Sequence, residues 1–79
     1  MEHRHSWIGF NVVDEGWLLV RCECGKVGAV KDLSLEEWSL AYNSRHNPYA
    51  WTEDDRVELL VGWAAVLDKK HNVWTVTRE

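Results

Sequence analysis

The chain has 79 residues, nine basic and thirteen acidic side chains, and a formal net charge of −4. That length allows one domain, spanning 1–79. It buries only about 60–65% of its unfolded surface, so a staple such as a disulfide, a metal or a partner chain is expected. The charge argues against sequence-independent phosphate binding, since no basic run exceeds Lys69-Lys70, and no apolar run is long enough for a membrane-spanning helix.

The N-terminus, Met1 to His5, is polar and is not followed by a signal-peptide core, so a cytoplasmic chain with reduced thiols is expected. Six tryptophans are spread along the sequence. Each can bury roughly 200 Å², so most are read as core and one or two as part of a binding surface. Ser6 to Val13 places Ile8, Phe10 and Val12 at alternate positions, as a strand does. Asp14-Glu15-Gly16 supplies a hairpin turn. Trp17 to Cys22 is the return strand, and its apolar content on both faces predicts a central position. Ala29-Val30-Lys31 is a short third strand.

Ser34 and Glu37 form a capping box that starts a helix. Leu35, Trp38, Ala41 and Tyr42 fall on one face of it and predict the buried side. Asn47-Pro48 stops the helix near Arg45-His46. Tyr49 and Trp51 flank a proline turn and are read as core ahead of a partner anchor. The stretch 52–68 fits strand and helix patterns alike. Strand is favoured because Gly62 weakens a helix and leaves room for a bulge. Lys69 to Asn72 form a turn, and Val73 to Thr77 are a terminal strand. The expected class is α+β: a small antiparallel sheet, made of the N-terminal hairpin plus C-terminal strands, packed on one α-helix.

The cysteines and histidines carry the one specific chemical signal. Residues two apart in a strand project to one side, so Cys22 and Cys24 can reach one metal if the loop begins after Cys24. Zinc takes four Cys or His ligands in a tetrahedron. The hairpin brings the N-terminal segment towards the thiols, which makes His5 and His3 candidate ligands. His46 at the helix end is the next, and His71 in a turn is the weakest. The spacing C-x-C-G is one residue shorter than the usual zinc knuckle. A site closed by four protein ligands is structural and not catalytic.

The run His3-x-His5-x-Trp7, Trp17-x-x-Val20-x-Cys22-x-Cys24-Gly25-x-x-Gly28, Glu37-Trp38-x-x-Ala41-Tyr42, Asn47-Pro48-Tyr49-x-Trp51 and Arg56-Val57 resembles small uncharacterised proteins of actinobacteria and their bacteriophages. The resemblance covers about three quarters of the chain and ends before Gly62. It implies a zinc-ribbon-like fold, a phage-encoded role acting on a host or phage macromolecule, and a strand at Arg56-Val57. It carries over no catalytic residue.

Enzyme chemistry is not expected. The serines lack a nucleophile elbow, and so short a chain has little room for a substrate pocket beside its core. Glu53-Asp54-Asp55 lacks calcium-loop spacing and reads as a solvated acidic cap. Three functions remain: a module binding a protein through an acidic, aromatic surface; a nucleic-acid-binding zinc-ribbon regulator; and an acidic mimic of DNA. A strand edge pairing two copies is a further possibility.

Overall fold

The computed structural model describes residues 6–13, 16–44 and 47–79. Strands β1 (Trp7–Val13), β2 (Trp17–Arg21) and β3 (Val27–Val30) form an antiparallel meander. Helix α1 (Leu35–Tyr42) follows, then strand β4 (Tyr49–Trp51), a 3₁₀ turn at Asp54–Arg56, and strand β5 (Val57–Leu59). Strands β4 and β5 flank the meander, giving the order β4-β1-β2-β3-β5. Strands β6 (Trp63–Asp68) and β7 (Val73–Arg78) make a second, two-stranded sheet. The expected α+β class is therefore observed, with one correction. The C-terminal strands do not extend the first sheet; they form their own hairpin across its face.

The five-stranded sheet curls. Its two edge strands are joined through residues 52–56, which include the 3₁₀ turn. A flat sheet of five strands would put those edges about 19 Å apart, close to the full reach of that link when extended. Coiling part of the link into a 3₁₀ turn draws the edges together. Accordingly Trp51 of β4 and Val57 of β5 pack in one cluster with Trp7, Leu18, Val20, Cys22, Val30 and Ala41.

Alternation along β2 divides the core in two. Leu18 and Val20 point into the concave cluster, which α1 covers through Ala41. Leu19 points the other way, joining Phe10, Val27 and Ala29 beneath Trp17, Leu60, Ala65, Trp74 and Val76. The convex face is thus covered by the β6–β7 hairpin. Strand β2 is buried on both faces, as its composition predicts.

A bulge in β1 changes the expected facing. Gly9 pairs with Val20 and Asn11 with Leu19, so Phe10 is the extra residue. The bulge turns Trp7 and Val12 towards the concave cluster and Phe10 towards the convex one. Simple alternation would have grouped Ile8, Phe10 and Val12, because a bulge shifts side-chain parity by one.

Gly28 permits the β3–β5 pairing. A Cβ there would overlap Val57 Cγ1 and sit 3.1 Å from the Glu58 carbonyl oxygen. Leu60 N–H extends the ladder by donating to the Val27 carbonyl at 2.9 Å. Gly62 lies between β5 and β6 at φ +87°, so it forms a turn between strands and not the expected bulge. The stretch 52–68 is otherwise extended, apart from the 3₁₀ turn, and Lys69 to Asn72 turn the final hairpin.

The capping box is present: Ser34 Oγ accepts from Glu37 N–H, and Glu37 Oε1 accepts from Ser34 N–H. The helix ends at Tyr42, earlier than Arg45-His46, which lie outside the described residues. Its expected buried face is corrected too. Ala41 alone is buried, because the helix approaches the sheet through that small residue. Trp38 lies across the Gly16 turn and stays partly exposed.

Candidate interaction surface and the cysteine turn

The predicted metal ligands divide into described and undescribed residues. Strand β2 ends at Arg21, and the chain turns at once. Cys22 N–H donates to the Lys26 carbonyl, and Gly25 N–H, at φ +95°, donates to the Cys22 carbonyl. The loop therefore begins at Cys22, not after Cys24. Cys22 is 5% exposed within the concave core, whereas Cys24 is exposed. His3, His5 and His46 lie outside the described residues. His71 sits in the β6–β7 turn with its Nδ1 2.8 Å from Asp68 Oδ2, far along the chain from the thiols. That contact holds the Asp68 carboxyl below its usual range. Among the described residues, no group of three His, Cys, Asp or Glu side chains is placed to hold a metal ion. The described residues alone do not make a zinc site.

The tryptophans separate by role. Trp7 and Trp51, paired across β1 and β4, are buried. The Trp7 indole N–H donates to the Asp54 carboxylate, and that of Trp51 donates to the Glu53 carbonyl at 2.9 Å. Trp51 is core, as expected; the side chain of Tyr49 lies outside the description. Trp17, Trp63 and Trp74 are half-buried, each beneath a cation. Arg21 stacks on Trp74 at 4.0 Å, Lys31 on Trp17 at 4.1 Å and Arg78 on Trp63 at 5.4 Å. Arg56 also lies over the buried Trp51 ring at 5.1 Å, so cation–ring attraction holds four basic side chains on tryptophans.

The acidic side chains gather around α1 and the 3₁₀ turn. Glu36, Glu37 and Glu53 line one shallow cleft with Leu40, Ala50 and Trp51. Arg56 closes one side of this region. Its Nη1 donates to Glu37 Oε2 at 2.7 Å and to Glu53 Oε2 at 3.1 Å. Its Nη2 donates to Glu37 Oε1 and to the carbonyls of Lys31 and Asp32, each at 3.2 Å. The guanidinium holds the Glu37 carboxyl below the ordinary glutamate range, helped by the Ser34 N–H.

Beside these acids, α1 turns apolar side chains outward. Leu35 is 90% exposed, Tyr42 76% and Leu40 52%. Leu35 and Tyr42 are seven residues apart and share one stripe. Leu40 stands one turn beyond Glu36. The sequence pattern assigned Leu35 and Tyr42 to the core, so it missed this surface. The signal available was Ala41, the one small residue on the predicted face.

No helix among the described residues is long and apolar enough to cross a membrane. Compared with protein-family models, curated proteins and solved structures, the chain matches none of them.

Proposed function

We propose that this chain is a non-catalytic interaction module that binds a host or phage protein through the acidic, apolar surface built on α1. One observation carries the reading: an eight-residue helix leaves Leu35, Leu40 and Tyr42 in solvent although the chain is short of core material. Leu35 and Tyr42 share one stripe, Leu40 lies across Glu36 from it, and exposed apolar side chains that lie together mark interaction sites, whereas scattered ones do not.

The DNA-mimic reading draws on Glu36, Glu37 and Glu53 sharing one cleft. It is the weaker of the two, because Arg56 already pairs with Glu37 and Glu53 and halves their charge. Of the basic side chains a nucleic-acid regulator could use, Arg21, Lys31 and Arg78 lie on indole rings.

Zinc held by Cys22, Cys24 and two of His3, His5 and His46 is proposed as the staple of this module. In its support, Ile8 pairs with Arg21, so β1 begins beside Cys22.

The interaction reading is tested with three proteins: the unmodified chain, a Leu35→Ser/Tyr42→Ser double variant and a Val66→Ser control on the hairpin. Each is crosslinked in a lysate of its native cells, and recovered proteins are identified by mass spectrometry. The expected result is a protein recovered with the unmodified chain and the control but lost with the double variant. Equal recovery from all three, or retention on duplex DNA that weakens steeply with salt, would overturn the reading.

A further inference from the structure

Resting on the reading of α1 as an interaction surface, we infer that its occupant is a short basic amphipathic segment of a partner protein, with large apolar side chains flanked by Lys or Arg. Three observations point to that chemistry. The first is charge. Glu36 and Glu37 occupy the first turn of α1, its last turn holds no basic residue, and Asp54 and Asp55 lie in the neighbouring 3₁₀ turn. Arg21, Lys31 and Arg78 each lie over a tryptophan. A partner arriving at α1 therefore meets apolar side chains interspersed with carboxylates.

The second observation is internal occupancy. Arg56 already bridges Glu37 and Glu53. The carboxylates left for a partner are those of Glu36 and Asp55, both exposed and outside that bridge. Around the helix Glu36 lies between Leu40 and the Leu35–Tyr42 stripe, so a cation of the segment belongs beside its apolar residues.

The third is size. An eight-residue helix is about 12 Å long. That is too small for the roughly 800 Å² per partner of a standard interface between folded proteins, but enough for a short segment. A second copy of this chain does not fit face to face, because its carboxylates would meet identical carboxylates, and like-charge juxtaposition is costly.

The probe is a twelve-residue peptide with leucines on one helical face and arginines on the other. Versions with citrulline or glutamate in place of arginine serve as controls. Each is titrated into the full ¹⁵N-labelled chain and followed by amide shifts. The arginine peptide should shift Leu35, Glu36, Leu40 and Tyr42, lose at least tenfold in affinity with Glu36→Lys, and keep its affinity with Val66→Ser. The citrulline peptide should bind at least tenfold more weakly, and the glutamate peptide not at all. Shifts confined to β6–β7, equal binding of the three peptides, or concentration-dependent dimers centred on α1 in the absence of peptide would overturn the inference. Loss of lysate crosslinking in the Leu35→Ser/Tyr42→Ser variant, together with no preference for the arginine peptide, would leave the surface assigned and sink only its basic occupant.

Discussion

Arg56 grips both carboxylate oxygens of Glu37, Nη1 to Oε2 at 2.7 Å and Nη2 to Oε1 at 3.2 Å, and so ties the 3₁₀ turn to the first turn of α1. Two-point pairing fixes orientation as well as distance. The same guanidinium holds the Lys31 and Asp32 carbonyls, the latter belonging to a residue at φ 54°. One side chain thus joins the link between the sheet edges to the β3–α1 connection and to the helix.

This pairing gives stability a pH dependence. The Glu37 carboxyl titrates below its ordinary value of 4.5 in the folded chain, chiefly because of Arg56. A carboxyl depressed by folding contributes fully above its unfolded pKa and loses that contribution as pH falls through the folded one. Melting temperature should therefore drop as pH falls below 4.5. Arg56→Gln should lower it at neutral pH and flatten the acid loss. Melts recorded from neutral pH down through the carboxylate range check this. A variant curve parallel to that of the unmodified chain would show that the pair carries no linkage.

Gly28→Ala should cost about 1–3 kcal/mol, as overpacking does, because the added Cβ would meet Val57 and the Glu58 carbonyl. Urea unfolding gives the loss. Hydrogen exchange locates it, since Leu60 N–H, which donates to Val27 O, should lose its protection. Retained protection at Leu60 would mean that β5 moves without unpairing.

Burial along β1 predicts unequal costs for neighbouring truncations. Phe10→Ala should remove about 3–5 kcal/mol, the usual cost of emptying a buried aromatic site, because Phe10 is 1% exposed. Ile8→Ala should remove well under half as much, since Ile8 is only partly buried. Equal losses in denaturant titrations would show that Ile8 is packed as tightly as Phe10.

The zinc proposal is checked by native mass spectrometry before and after chelation. The expected outcome is one zinc ion per chain, removed by chelator with a fall in melting temperature. Cys24→Ser should lower stability by several kcal/mol, on the scale of structural metal binding. A chain that carries no zinc, with the same melting temperature before and after chelation, would overturn the site.

Local chemistry made much of the architecture readable. Ser34 and Glu37 announce a helix start because the two side chains satisfy each other's backbone donors, a matter of four consecutive residues. Leu18, Leu19 and Val20 announce a strand buried on both faces. Val73 to Thr77 announce a strand through branching and aromaticity. None of these readings depends on a distant partner.

The site was less legible, for a physical reason. Whether Leu35 and Tyr42 face the core depends on which side of α1 meets the sheet, and the close approach of Ala41 decides that. Arg56 looked like one charge beside an acidic run; folding alone brings it to Glu37, nineteen positions away. The sequence by itself determined the helix start at Ser34, the N-terminal hairpin strands and the terminal strand, because periodicity and capping act within a few residues. Only the tertiary structure decided the bulge parity of β1, the separate C-terminal hairpin and the outward face of α1, because each is set by packing between segments remote in the chain.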